Sequence, residues 1–331
     1  MGAQVSVGIV TYDSAPDIVR CLQAVRAQSP LPAEVLVWDN ASADGSVELA
    51  RGLGATVIVS AVNIGFAAAA NELIRRTRSP YVLLLNPDAS LAPDYLEQLC
   101  GVAESDPRIG SLTGKLVRPG PFGGPRVLDS TGHVLYRNRW ARNRGETEPD
   151  RGQFDEAGEV FGVCAAAALY RRAMLEDVRV GDEYFAESFF AYLEDVDLDW
   201  RARLRGWKAY YVSSALAAHD RGHKGKRRTV HAGVLRHSLK NRYLLMLRND
   251  RVPDLLRDGP AILALEALRV VDYALSHPSA LRGYLDLIPL LGPALAARRA
   301  IQSRRTVPPA AMRSWIRPLP VAAGLRGLFR I

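Results

Sequence analysis

Cysteine is nearly absent from this sequence: Cys21, Cys100 and Cys164 are three thiols set far apart. An odd, scattered set supplies neither a disulfide framework nor a Cys-x-x-Cys metal or redox pair, so a reducing cytoplasm is the expected setting. The opening residues Met1 to Ser6 lack the basic and long apolar segments of a secretory signal. Their Met-Gly-x-x-x-Ser match to a myristoylation pattern rests on three loosely specified positions, and Val5 to Val10 reads as a core strand instead. Long apolar runs are missing as well. Glu266, Arg269, Asp272, Arg282 and Asp286 interrupt the C-terminal helical stretches, so none reaches the roughly 18 residues that a spanning helix needs. No Gly-x-Gly-x-x-Gly follows the first strand-like run and no Gly-x-x-x-x-Gly-Lys-Ser/Thr occurs. A nucleotide bound here is therefore held by side chains and a metal, not by a glycine fingerprint or a Walker loop.

Acidic residues stop at Asp286. Beyond it lie Arg298, Arg299, Arg304, Arg305, Arg313, Arg317, Arg326 and Arg330; setting these eight aside from 43 Lys+Arg leaves 35 basic residues against 35 acidic ones. The body is neutral, and the formal surplus of +8 belongs to the tail. Each Lys or Arg near an anionic lipid surface contributes about 1 kcal/mol. With Trp315, Ile316, Leu319 and Phe329 the tail would make a reversible peripheral contact with the inner face of the membrane; the plain alternative is a packed helical subdomain with a wet basic face.

What is present is a strand–helix cycle. Val5–Val10, Glu34–Trp38, Thr56–Val59 and Tyr81–Leu85 are β-branched or aliphatic runs, each followed by a helical pattern. Ser14 stands as an N-cap signal before Pro16 and Asp17, Ser46 to Leu53 and Ala67 to Arg76 read as the next helices, and Pro93 opens a fourth. Four such cycles in about a hundred residues predict an α/β fold whose mostly parallel sheet has both faces covered. Gly/Pro-rich and then charged sequence from Arg118 to Arg151 predicts a surface excursion that shapes an acceptor site. Glu194–Arg205 reads as a helix, Lys208–Val212 as a strand, and the chain beyond His231 as helices only, over Leu235–Arg248, Ala261–Leu275 and Leu281–Ala297. Length fits about two domains: residues 1–230 as a nucleotide-binding catalytic domain and 231–331 as a basic helical region.

Ligands of parallel sheets sit beyond the carboxyl ends of the strands. There stand Thr11-Tyr12, Asp39-Asn40, Asn63-Ile64-Gly65-Phe66 and Asn86-Pro87-Asp88. Asn-Pro is a common turn opener, but Asp88, projected from a rigid strand end, is also placed to hold a hard divalent cation with the diphosphate supplying further oxygens. His219 is a candidate to add an imidazole. Asp39 either caps a turn with Ser42 or accepts a ring N–H from a pyrimidine. In Glu194-Asp195-Val196-Asp197-Leu198-Asp199, Asp197 and Asp199 precede Arg201 and Arg203 by four and have helix partners. Glu194 and Asp195 have none. Asp195 faces Asp199 at i+4, which raises its proton affinity and suits a general base; capping of the helix dipole is the competing explanation.

Val7–Tyr12, Val37–Ser46, Asn63–Phe66, Leu83–Asp88 and Tyr192–Asp197, in that order, resemble the family 2 inverting glycosyltransferases of the GT-A fold, especially the rhamnosyltransferase-like branch. The resemblance implies a nucleotide-diphosphate sugar donor (dTDP- or UDP-linked), Mg²⁺ or Mn²⁺, and a glycan or lipid-linked acceptor. Thr11, Tyr12, Asp39, Asn40, Asn63, Gly65, Phe66 and Asn86 would then line the nucleotide side, Asp88 and His219 would hold the metal, and Asp195 beside Glu194 would be the base. Asn86 replaces the first acid of the metal motif. Arg221, Lys224, Lys226, Arg227 and Arg228 are candidates to clamp the diphosphate. Gly162-Val-Cys-Ala165 departs from the family's usual Gly-Ala phrase, and Asp182-Glu-Tyr-Phe185 from Gly-Gly-Phe-Asp. Two other classes fit part of the sequence: a catalytically silent scaffold of the same fold, and a nucleic-acid binder suggested by a pI near 9.6. Against the latter, the charge is terminal and no recognition motif accompanies it.

Overall fold

The computed structural model describes residues 4–118, 125–221 and 232–319. The expected alternation is present: β1 (Val5–Thr11), α1 (Ala15–Arg26), β2 (Glu34–Asp39), α2 (Ser46–Gly52), β3 (Thr56–Val59), α3 (Gly65–Arg76) and β4 (Tyr81–Leu85). After β5 (Ala89–Leu91), α4 (Tyr95–Ser105) and β6 (Ile109–Arg118) come β7 (Val127–Ser130), β8 (His133–Tyr136), β9 (Ala141–Asn143), β10 (Gly158–Val160) and β11 (Ala167–Arg171). The remainder is α5 (Arg172–Val178), α6 (Glu194–Leu204), β12 (Lys208–His219), α7 (Ala232–Asn249), α8 (Val252–Ser276), α9 (Gly283–Leu287), α10 (Leu291–Ser303), α11 (Pro309–Arg313) and β13 (Ile316–Arg317). Ser14 occupies the N-cap of α1 but does not cap it; its hydroxyl donates to Tyr12 O at 3.1 Å, and Asp44 Oδ2 accepts the Ala15 N–H at 2.8 Å instead.

The main sheet runs β10-β12-β6-β11-β4-β1-β2-β3, with β5 on β12 and β7 on β6. Strands β1 to β4 are mutually parallel, whereas β11 is antiparallel to both β4 and β6. The parallel half follows the early alternation, and the second half is a mixed sheet whose short strands carry no such rhythm. Burial explains β4: Leu83 and Leu85 pack toward Ile18, Leu22 and Val25 of α1, while Val82 and Leu84 pack on the other face toward Ile74 of α3. Each such side chain contributes about 1.5–3 kcal/mol, so β4 is pinned from both sides. From β1 the chain steps to β2 and β3, then returns to place β4 on the other side of β1. That reversal opens a crevice at the carboxyl ends of β1 and β4, where Thr11-Tyr12 and Asn86-Pro87-Asp88 begin.

The Arg118–Arg151 stretch, predicted as a surface excursion, is instead largely built in. Asp129, Ser130, His133, Asn138 and Arg139 are buried, and β8 forms a second sheet with β9 and β13. The C-terminal helices share an apolar cluster with α6: Val196, Trp200 and Leu204 lie with Leu244, Leu245, Ala297, Ile301 and Met312. The tail is correspondingly engaged. Ile316 is buried, and Trp315 packs inward under the Arg203 guanidinium, 4.0 Å from its ring centre. Those two side chains are not the membrane anchors the sequence suggested, because the core claims them first. Arg298, Arg304, Arg305 and Arg313 hydrogen-bond within the chain, whereas Arg299 and Arg317 are exposed. Arg326, Phe329 and Arg330 lie outside the described residues. No helix of the described residues is long and apolar enough to cross a membrane.

Candidate active site

Asn86, Asp88, Glu194, Asp195 and His219 line one cavity of about 670 Å³, together with Phe66. The turn after β4 fixes the first pair: Asn86 N–H donates to Ala166 O at 2.9 Å, and β5 pairs with the end of β12 so that Ala89 meets His219. His219 Nε2 lies 3.2 Å from Asp88 Oδ1 and 3.4 Å from Asn86 Nδ2, while its Nδ1 is 2.7 Å from Asp129 Oδ2. Burial opposes charge on this imidazole, but Asp129 and Asp88 outweigh it and push His219 up to about 10. Burial likewise works against ionisation of Asp88, yet His219 holds it below the usual carboxylate range.

The donor set suits a divalent cation. Asp129 fixes the His219 ring through Nδ1 and leaves Nε2 toward Asp88, the arrangement in which a carboxylate orients a ligating imidazole; to hold a cation, His219 would give up its Nε2 proton. Arg221 belongs to the same corner, ion-paired with Asp129 at 2.7 Å and Glu146 at 3.2 Å. Lys224, Lys226, Arg227 and Arg228 lie outside the described residues.

Asp195 sits in the first turn of α6, where its Oδ2 accepts the Ala165 N–H at 3.3 Å and its Oδ1 the Val196 N–H at 2.8 Å. The expected bare contact with Asp199 is not there: His133 stands between the two carboxylates. Its Nδ1 is 2.8 Å from Asp199 Oδ2 and its Nε2 3.5 Å from Asp195 Oδ2. Burial disfavours an imidazolium, but Asp195 and Asp199 together hold His133 well above its ordinary value. The carboxyls that burial raises are the neighbours, Asp199 to about 6 and Glu194 well above its usual range, the latter also through the Asp195 charge. His133, Cys164 and Asp195 offer three ligand atoms within 4.8 Å of one another. His133 of that group spans Asp199 and Asp195.

The i+4 pairings of α6 divide. Asp197 takes Arg201 at 2.9 Å as predicted, and adds Arg248 at 2.9 Å and Asn249 at 2.7 Å from α7. Asp199 does not take Arg203. It is occupied by His133 and the Val163 N–H, and Arg203 turns to Glu159 and the carbonyls of Val160 and Phe161. Gly162 makes this possible: a Cβ there would lie 1.8 Å from Asp199 Oδ2.

The remaining sequence candidates form a separate layer, outside the lining of the cavity. Thr11 pairs in register with Asp39, and both are buried. Asp39 Oδ2 accepts the Ser42 N–H at 3.0 Å, but Asp39 Oδ1 and Thr11 Oγ1 have no partner. Tyr12 is 54% exposed beside them. Asn40 and Asn63 use their side chains to hold the loop: Asn40 reaches Trp38, Ile64 and Gly65, and Asn63 Oδ1 accepts the Gly65 N–H at 2.9 Å. Gly65 has φ +82°, and a Cβ would meet Phe190 at 2.6 Å. Sequence reading missed His133, Asp129 and the cavity residues Trp140, Arg242 and Arg269; each is a single residue in a stretch without a motif.

A crevice at a strand-order reversal, and a cavity lined by a carboxylate–imidazole pair and a second buttressed carboxylate, fit a GT-A glycosyltransferase. The chain belongs to Glycosyl transferase family 2, whose model matches residues 6–179. It is 28% identical over 235 residues to the N-acetylglucosaminyl-diphospho-decaprenol L-rhamnosyltransferase of Mycobacterium tuberculosis, covering 65% of this chain and 75% of that protein. It is 24% identical over 218 residues to the putative glycosyltransferase EpsH of Bacillus subtilis, covering 64% of this chain and 59% of that one. Among solved structures, S. aureus TarS 1-349 aligns at TM-score 0.55 and 18% identity, over 91% of this chain and 90% of that one. The mannosyltransferase PcManGT from Pyrobaculum calidifontis, in complex with GDP-Man and Mn2+, aligns at 0.53 and 17% over 95% and 86%. These two structural likenesses carry the fold. By its family the chain is a glycosyltransferase.

Proposed function

We propose that this enzyme moves a sugar, rhamnose by the suggestion of its mycobacterial relative, from a dTDP- or UDP-linked donor to a glycan or lipid-linked glycan, in one inverting displacement. The reading is carried by the placement of Asp88 and Asp195 on the same cavity. Thr11 and Asp39 present unpartnered oxygens to the nucleoside, beside exposed Tyr12. Asp88 and His219, with Asn86 adjoining, are the residues that would hold Mg²⁺ or Mn²⁺. When bound, such an ion offsets charge gathering on the departing diphosphate.

Asp195 takes the proton of the acceptor hydroxyl as that oxygen bonds to the anomeric carbon, while the carbon–oxygen bond to the diphosphate breaks on the opposite face. One displacement inverts the configuration. The Ala165 N–H and His133 hold the Asp195 carboxylate in a fixed orientation, so its basic oxygen is placed before the acceptor arrives. A lipid-linked acceptor would bring the enzyme to the inner face of the cell membrane, where the basic C-terminal region provides peripheral attraction.

Asp195→Asn tests the reading. Donor-nucleotide binding in the presence of Mn²⁺ should be retained, and transfer should fall by roughly 10²–10⁴-fold. Unchanged transfer removes Asp195 from the chemistry. Absence of transfer in the unmodified protein, with every donor that it binds, would favour a silent scaffold.

A further inference from the structure

Two arginines from the C-terminal helices line the cavity, Arg242 of α7 and Arg269 of α8. Arg242 is 1% exposed. It donates from Nη1 to Glu266 at 2.7 Å and from Nη2 to Asn138 O at 2.7 Å, while its Nε has no partner. Arg269 forms no ion pair with any described acid, and Glu266, one turn before it, is already shared by Arg242 and the Tyr284 hydroxyl. Arg139 on the same cavity shows the contrast: Asp250 and Asp258 both bind it.

Glu266 thus serves Arg242 and the Tyr284 hydroxyl, and no described acid pairs with Arg269. Burial and the charge of Arg269 pull Arg242 down to about 10. Arg242 keeps a buried Nε without a partner, and Arg269 is half-buried on the same cavity with no acid paired to it; two guanidiniums at one cavity are matched to an anion. Arginine's planar fork fits phosphoryl oxygens in particular.

α7 adjoins the base. Asn241, next to Arg242, donates to Phe189 O, Ala191 O and Tyr192 O, in the segment that leads into Asp195. α8 is apolar on its outer face, with Leu263 69%, Val271 59% and Leu275 83% exposed. We infer that Arg242 and Arg269 form a subsite for a phosphoryl group of the acceptor, a lipid-linked diphosphate whose apolar tail leaves along α8. This rests on the reading of Asp195 as the acceptor-side base.

The test is a calorimetric titration of farnesyl diphosphate, inorganic pyrophosphate and farnesol into the full chain already saturated with Mn²⁺ and UDP or dTDP. Farnesyl diphosphate should bind more tightly than pyrophosphate, and farnesol least. Arg269→Ala should weaken both diphosphates about tenfold and Arg269→Glu more, with nucleotide affinity unchanged. Arg269 is preferred to Arg242, whose removal would strand half-buried Glu266. Equal affinity in Arg269→Ala, or displacement of the nucleotide by the diphosphate, would overturn the proposal; the latter would assign the arginines to the donor. Failure of either nucleotide to bind would instead count against the donor reading, and the Arg269 comparison can still be made without nucleotide.

Discussion

His133 reaches Asp199 across 66 positions of sequence, Nδ1 to Oδ2 at 2.8 Å, and that bond aims the opposite edge of its ring at Asp195. A buried imidazolium between two carboxylates orients the one that faces the cavity. His133→Gln keeps a hydrogen-bond donor but removes the charge. The expected result is a fall in kcat of about tenfold with donor KM nearly unchanged, and an acid limb of the pH–rate profile displaced to higher pH, because Asp199 loses the cation that holds its carboxyl down. A purely structural His133 would lower the melting temperature and leave the shape of the profile alone.

Gly162 supports the same triad by having no side chain. Gly162→Ala would push a Cβ into Asp199, whose oxygen lies 1.8 Å from the position of that atom. Because the Gly162 carbonyl also accepts the His133 N–H at 2.8 Å, the backbone has little freedom to yield. Overpacking of this kind costs about 1–3 kcal/mol, and activity should fall together with stability. An equilibrium urea midpoint and a turnover assay on the same preparation check both; a variant with the parent's midpoint would show that Asp199 relaxes freely.

Asp197 is the acid of α6 that serves the fold. Burial works against its ionisation, but Arg248 and Arg201 hold its carboxyl down to about 2. The ionised form is therefore worth about 2 kcal/mol to the folded state. That stability is fully present above the ordinary carboxylate value of 3.8 and is lost as pH falls through about 2. Asp197→Asn should cost about 3–5 kcal/mol at neutral pH, since it leaves two buried guanidiniums short of a partner. It should also flatten this group's share of the stability change between pH 4 and pH 2. Chemical denaturation at pH 7, 4 and 2.5 measures both effects.

The parallel half of the fold was legible in its strand–helix rhythm, and Asp88 after β4, Asp195 at the start of α6 and His219 at the end of β12 could be singled out because each adjoins a run with a clear period; the structure brings the three to one cavity. His133 was not. It stands in a stretch whose glycines, prolines and charges resemble a wet loop, and only the long-range contact with Asp199 buries it. The i+4 rule served Asp197–Arg201 and failed for Asp199–Arg203, because helix spacing knows nothing of the carbonyls of Val160 and Phe161 that draw Arg203 away. Arg242 and Arg269 lie in helices read correctly as helices, yet a helical pattern does not say which cation meets the cavity.

Phe190, Tyr192 and Leu193 have positive φ values of 65°, 74° and 66°, a run of left-handed non-glycine residues just before Asp195. Each costs of order 1–3 kcal/mol and persists only where its surroundings impose it. Asn241 braces it: its amide nitrogen lies within hydrogen-bond distance of the carbonyls of Phe189, Ala191 and Tyr192, which share its two hydrogens. In Asn241→Ala the segment should relax toward ordinary backbone and carry the start of α6 with it. Transfer is expected to fall roughly tenfold, through kcat more than donor KM, while Asn241→Gln recovers little because its longer stem displaces the amide. Hydrogen exchange should quicken at residues 190–195 in the alanine variant. If exchange there stays as slow as in the parent, the strain is held by something other than Asn241.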